Sequence, residues 1–149
     1  MTEKKLKSGA VVALQLAAFE DSMALLDSIL REMVGVPVEG FDLKDLVGKD
    51  LTQLKDVLFK VISSKPVKEA LWACMTSCTY QGPRDQVGIR ISKGPNGTFD
   101  SEQTRGDFFP VAGEVAAFNL APFFKNLALP SSIQEKLDLL GNSQRSETG

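Results

Sequence analysis

Asp107-Phe-Phe-Pro-Val-Ala-Gly-Glu-Val-Ala-Ala-Phe-Asn-Leu-Ala-Pro-Phe-Phe-Lys-Asn-Leu127 concentrates the chain's aromatic residues. Five of the nine phenylalanines lie within it, between Phe108 and Phe124. It holds no nucleophile, histidine or metal-ligand cluster, so its rings speak for packing and binding rather than chemistry. Large apolar residues are usually inside, and the rings can fill the domain's own core. They can also be divided, with some buried and one pair presented. Asp107 or the residues just before it cap a helix through Phe118, with Pro110 tolerated in its first turn. Val111, Val115 and Phe118 make an i, i+4, i+7 line. Pro122 is expected to stop this helix, with Phe123, Phe124 and Leu127 continuing as a short turn at a new angle.

The 149 residues suggest one domain with a single core. Residues 1–8 read as a flexible basic arm carrying Lys4, Lys5 and Lys7. Phe19, Met23, Leu26, Ile29, Leu30 and Met33 repeat at helical spacing and mark one face. Val11 and Val12 are β-branched, so that helix starts after Ala10 or follows a short strand. Gly35 and Pro37 end it. Gly40 to Gly48 is a connector anchored by Phe41, Leu43 and Leu46. Asp50 caps a second helix with an apolar stripe at Leu51, Leu54, Val57, Leu58, Val61 and Ile62. Ser64 and Pro66 open a third, bearing Val67, Ala70, Leu71, Cys74 and Met75. Trp72, the only tryptophan, falls off its main stripe.

Gly82-Pro83 breaks the helical pattern. Val87, Ile89 and Ile91 then alternate with polar or small residues, the period of a strand. Lys93-Gly-Pro-Asn-Gly97 is turn chemistry, and Thr98 and Phe99 are expected to begin the return strand. Residues 100–106 read as a polar loop. After the phenylalanine-rich stretch, Pro130-Ser-Ser132 opens a last amphipathic piece with Ile133, Leu137 and Leu140. The expected class is therefore mainly α: a small helical domain of four to five helices over residues 9–140. It carries a β-hairpin-like insertion at 82–106 and a disordered polar tail at 141–149.

The formal net charge of −2 gives no steering toward nucleic acid. No apolar run approaches the ~20 residues that span a bilayer. The segment Ala10 to Phe19 imitates a signal peptide weakly, but the helical pattern runs through it to Val34, so the chain reads as cytoplasmic. The chain has no histidine, which removes the commonest general base and metal ligand. No phosphate-binding glycine pattern occurs. Carboxylate pairs such as Glu20–Asp21 and Asp42–Asp45 read as helix-end or solvating charges. Cys74 and Cys78, one helical turn apart, suit a disulfide poorly and offer half a zinc site at most. They read as buried, unreactive thiols. The expectation is a protein without catalytic residues, cofactor or metal.

Two amphipathic helices, a third with Trp72 and Cys74, a polar insertion and the closing Asn119-Leu-Ala-Pro-Phe-Phe124 motif follow in order. In this the chain resembles the tail assembly chaperones of long-tailed bacteriophages, over about residues 17–129. The resemblance implies a non-catalytic protein that binds the hydrophobic tape-measure protein, keeps it soluble and helps recruit tail-tube subunits. It also implies self-association, residence in the host cytoplasm and absence from the mature virion. A frameshifted longer product is common in such proteins, and the polar tail would suit its junction. The candidate partner-binding residues are Trp72, Phe108, Phe109, Phe118, Phe123 and Phe124, bordering a groove for an apolar helix. The alternative is a small helical adaptor or regulatory protein that binds a different helix.

Overall fold

Residues Phe108–Phe124 of the phenylalanine-rich stretch form one continuous helix, and three helices and one strand pack against it. The structure, a computed structural model, describes residues 2–35 and 51–124. In chain order the elements are β1 (Thr2–Lys5), β2 (Val11–Leu14), α1 (Phe19–Gly35), α2 (Leu51–Val61), α3 (Lys65–Met75), β3 (Thr79–Gln81), β4 (Ile89–Arg90), α4 (Glu102–Arg105) and α5 (Phe108–Phe124). The expected connector at 40–48, the Asp50 cap and the amphipathic piece and tail after residue 130 lie outside the described residues.

The mainly helical expectation is corrected. Five helices stand beside a four-stranded antiparallel sheet of order β1-β2-β3-β4, so the fold is mixed α/β among the described residues. The Lys-bearing arm is the edge of that sheet, with Lys4 paired to Val12 and Lys5 to Val11. All four β1 side chains are exposed, so backbone pairing rather than burial makes it a strand. That leaves no alternation to read. Val11 and Val12 do form the short strand before the first helix, and Val12 and Leu14 face the core.

The hairpin is also placed differently. β4 pairs back onto β3, with Thr79 opposite Arg90 and Tyr80 opposite Ile89. The turn at 93–97 exists, with Gly94 and Asn96 at φ of +94° and +61°. It leads to no return strand. Thr98 N–H closes it onto the Ser92 carbonyl at 3.0 Å, and Phe99 turns into the core. The polar loop at 100–106 holds the short helix α4, capped by Ser101.

Helix α5 is apolar almost all round, the mark of a buried helix. Val111, Ala112, Val115, Ala116 and Leu120 are fully buried among side chains of α1, α2, α3 and β2. At Gly113 a Cβ atom would meet the Phe59 ring at 3.3 Å and the Lys55 stem at 3.4 Å, so the missing side chain lets α2 cross closely. Lys55 Nζ reaches Glu114 Oε1 beside it at 2.6 Å. Pro122 does not stop the helix. It withholds the N–H that would have served the Phe118 carbonyl and crowds that carbonyl with its ring, yet the helix runs on to Phe124.

Asn119 is the buried polar residue of this helix. Its Oδ1 accepts from the Ala17 N–H and the Ser22 hydroxyl, both at 2.9 Å, and its Nδ2 donates to the Val115 carbonyl at 2.9 Å. It thus fastens the connection between β2 and α1 to α5. Replacing Asn119 by Ala strands two donors, one of them fully inside. Asn119→Ala should lower the unfolding free energy by about 3 kcal/mol in urea titrations, and Ser22→Ala by only about 1.

Candidate functional site

The aromatic residues fall at the two ends of α5. At its start, Phe108 is half-buried, with its ring centroid 5.7 Å from Trp72, 5.5 Å from Phe99 and 5.3 Å from Phe109. Phe99 continues inward to Tyr80 at 5.6 Å. Phe109 turns outward, is 54% exposed, and meets Phe59 of α2 edge-on at 5.7 Å. Phe59 is itself 39% exposed. A ladder of rings therefore runs from the buried Tyr80 to a surface pair. Edge-to-face contacts of this kind hold rings in fixed orientations.

A polar lock secures the inner end of the ladder. The buried Asp107 accepts from the Tyr80 hydroxyl at 2.5 Å and from the Ser8 hydroxyl at 2.8 Å. Burial, and then the Asp107 carboxylate, push the Tyr80 hydroxyl well above its ordinary pKa. The turn between β1 and β2, strand β3 and the start of α5 are thereby tied together.

At the far end, Phe118, Phe123 and Phe124 are half-buried against the core. The Phe123 ring lies 5.9 Å from Phe19, which is 65% exposed, and Leu16 is exposed close by in sequence. Fourteen residues separate Phe109 from Phe123, about 21 Å along a helix. Trp72, Phe108 and Phe109 therefore cluster at the start of α5, while Phe123 meets Phe19 near its far end and Phe118 and Phe124 pack against the core. The rings expected to border one groove thus stand in two places along a helix that is buried in its middle.

Phe19, Leu16 and Phe59 were not among the expected surface residues. Phe19 lies on the apolar face of α1, as its spacing predicts, but at the first residue of the helix. Phe59 had a readable signal: it is a large ring off the Val57, Leu58 and Val61 stripe of α2.

The thiols are held in the interior. Cys74 Sγ donates to the Asp21 carbonyl and Cys78 Sγ to the Gln15 carbonyl, each at 3.6 Å. Cys78 thus bonds the β2–α1 connection that Asn119 holds, and Cys74 the first turn of α1. Burial, and next the charge of Asp21, push the Cys74 thiol up to about 12, against a lesser opposing effect of Ser22. Burial also raises Cys78, partly offset by its bond to Gln15. Both thiols stay protonated at neutral pH, and a thiol rather than a thiolate is a poor nucleophile. Among the described residues no three Cys, Asp or Glu side chains are grouped to hold a metal ion, and no helix is long and apolar enough to cross a membrane. Comparison of the chain with models of protein families, with curated proteins and with solved structures finds no match.

Iodoacetamide at pH 8 should label neither cysteine in the native protein and both in denaturant. Rapid native labelling would contradict the assigned burial. The raised thiol and phenol also give stability an alkaline limit. The unfolded chain releases the Cys74 proton near pH 9 and the folded chain near 12. Stability is therefore intact below pH 9 and falls as pH rises from 9 toward 12, with Tyr80 adding to the fall above pH 10. A melting temperature that is flat from pH 8 to 11 would contradict this.

Proposed function

We propose that the protein is a non-catalytic assembly chaperone that covers the apolar stripe of a helical partner. The resemblance of Asn119-Leu-Ala-Pro-Phe-Phe124 to the tail assembly chaperones of long-tailed bacteriophages gives the proposal its partners. These are the tape-measure protein and, during recruitment, tail-tube subunits, in the host cytoplasm and before the virion is complete. Self-association belongs to the same proposal.

The observation that carries the reading is the placement of rings at both ends of α5. Phe109 with Phe59, and Phe19 with Phe123, present aromatic surface that the core leaves uncovered. Apolar area left in water costs roughly 25 cal/mol per Å2, so a long helix with an exposed apolar stripe gains by lying against such rings. Two patches about 21 Å apart match roughly four turns of a partner helix, a spacing that suits an extended stripe better than a single short anchor. The buried thiols and the phenol held by Asp107 are fixed parts of the interior, which directs function to the surface.

The second reading is an adaptor or regulatory protein that uses the same patches for another helix. The four-stranded sheet favours it, because the resemblance rests on helical segments and one short motif.

Co-expression with the protein encoded directly downstream discriminates the two. The assembly-chaperone reading predicts that this protein is soluble only with the present chain and co-purifies with it. Phe19→Ser together with Phe109→Ser should abolish co-purification and leave the far-ultraviolet circular dichroism unchanged, because both rings are largely outside the core. A downstream protein that is soluble alone and does not bind would transfer the surface to the adaptor reading. Full binding by the double variant would remove the aromatic ends from either reading.

A further inference from the structure

The two edges of the sheet differ in a way that points to a second binding site. β1 is a guarded edge: its exposed side chains are Thr2, Glu3, Lys4 and Lys5, and charges on an edge discourage pairing with other chains. β4 carries the opposite composition. Val87 and Ile89, near and on this edge, are each 70% exposed, the most exposed large apolar residues described.

The backbone of β4 is set for an incoming strand. The Ile91 N–H donates to the Cys78 carbonyl at 2.9 Å, and Tyr80 pairs with Ile89. Inward and outward groups alternate along an antiparallel strand, so Ile89 and Ile91 face β3 while Gly88 and Arg90 turn their N–H and C=O groups outward. No described hydrogen bond takes up the outward groups of Gly88 or Arg90. The slot is bounded. At Ser92 the N–H is taken by Thr98 Oγ1 at 2.9 Å and the carbonyl by Thr98 N–H at 3.0 Å. At the other end, the Gly82–Asp85 turn is closed by its own hydrogen bonds.

Charge selects the occupant. Arg84, Arg90 and Lys93 are exposed along this edge, and none of the described ion pairs involves them. The only carboxylate between them, Asp85, accepts the Gly82 N–H at 3.1 Å. The edge is thus locally cationic on a chain of net charge −2. A second copy fits it less well, because it would bring the same cations face to face. So short an edge would also bury much less than the ~1,000 Å2 that marks a stable dimer.

The geometry points to β4 as a docking edge for an extended acidic peptide segment. This segment adds a fifth strand, bonds the outward groups of Gly88 and Arg90, packs an apolar side chain on Ile89 and sets carboxylates against Arg84, Arg90 and Lys93. The site takes a strand rather than a helix and does not depend on the rings of α5.

The test uses the full chain with two fluorescein-labelled octapeptides, one alternating glutamate with isoleucine and one alternating lysine with isoleucine, read by anisotropy. The glutamate peptide should bind at least about tenfold more tightly than the lysine peptide, since like charge at an interface is strongly disfavoured. Arg90→Pro removes an outward donor without touching the β3 ladder, and Arg90→Glu reverses a charge while keeping the backbone. Each should weaken the glutamate peptide at least about tenfold, with circular dichroism unchanged for Arg90→Glu. Equal binding of the two peptides would overturn the proposal, as would wild-type affinity in Arg90→Glu or no binding of the glutamate peptide. Self-association in sedimentation that Arg90→Glu strengthens would also overturn it, by assigning the edge to a second copy.

Discussion

The buried side chain of Asn119 is the constraint from which the rest of the structure follows. A helix that is apolar on nearly every side can rotate or slide within a core, because hydrophobic contact has little direction. Asn119 supplies direction. Its amide oxygen takes one backbone and one side-chain donor from the β2–α1 connection, which fixes both the rotation and the height of α5. Cys78 bonds the Gln15 carbonyl of that connection, and Cys74 the Asp21 carbonyl in the first turn of α1. With the middle of α5 fixed in this way, its two ends are fixed too, and their rings are carried outward at a set separation.

The Asp107 lock does the corresponding work at the start of the helix. It joins elements far apart in the chain through Ser8 and Tyr80. The ring ladder from Tyr80 through Phe99 and Phe108 to Phe109 is seated on that lock. The surface pair Phe59–Phe109 is therefore an extension of a rigid interior rather than a loose exposed patch. Preorganised rings bind with less loss of freedom than mobile ones.

The helices were legible in the sequence because burial drives them. Leu26, Ile29 and Met33 of α1, and Val57, Leu58 and Val61 of α2, are buried where periodicity places them. The sheet was legible only at Val11–Val12 and Ile89. β1 has no buried face, and the return partner of β4 precedes it in the chain at Thr79–Gln81, where the sequence continues the run after Cys78 without a turn signal. Pro122 misled for a related reason: the tertiary contacts of Phe123 and Phe124 outweigh a local preference for helix termination. The concentration of rings at Trp72, Phe108, Phe109, Phe118, Phe123 and Phe124 was legible in the sequence. Their division into two patches was not, because it depends on α5 remaining unbroken past Pro122.

In the proposed function, α5 is buried in its middle and engages a partner through rings at both ends. Hydroxyl-radical footprinting of the full chain, alone and with the solubilised downstream-encoded protein, tests it most directly. The account predicts that Phe19, Phe59, Phe109 and Phe123 are oxidised in the free protein and protected in the complex, while Tyr80 and Phe99 react in neither. Unchanged oxidation of the four surface rings on complex formation would contradict it.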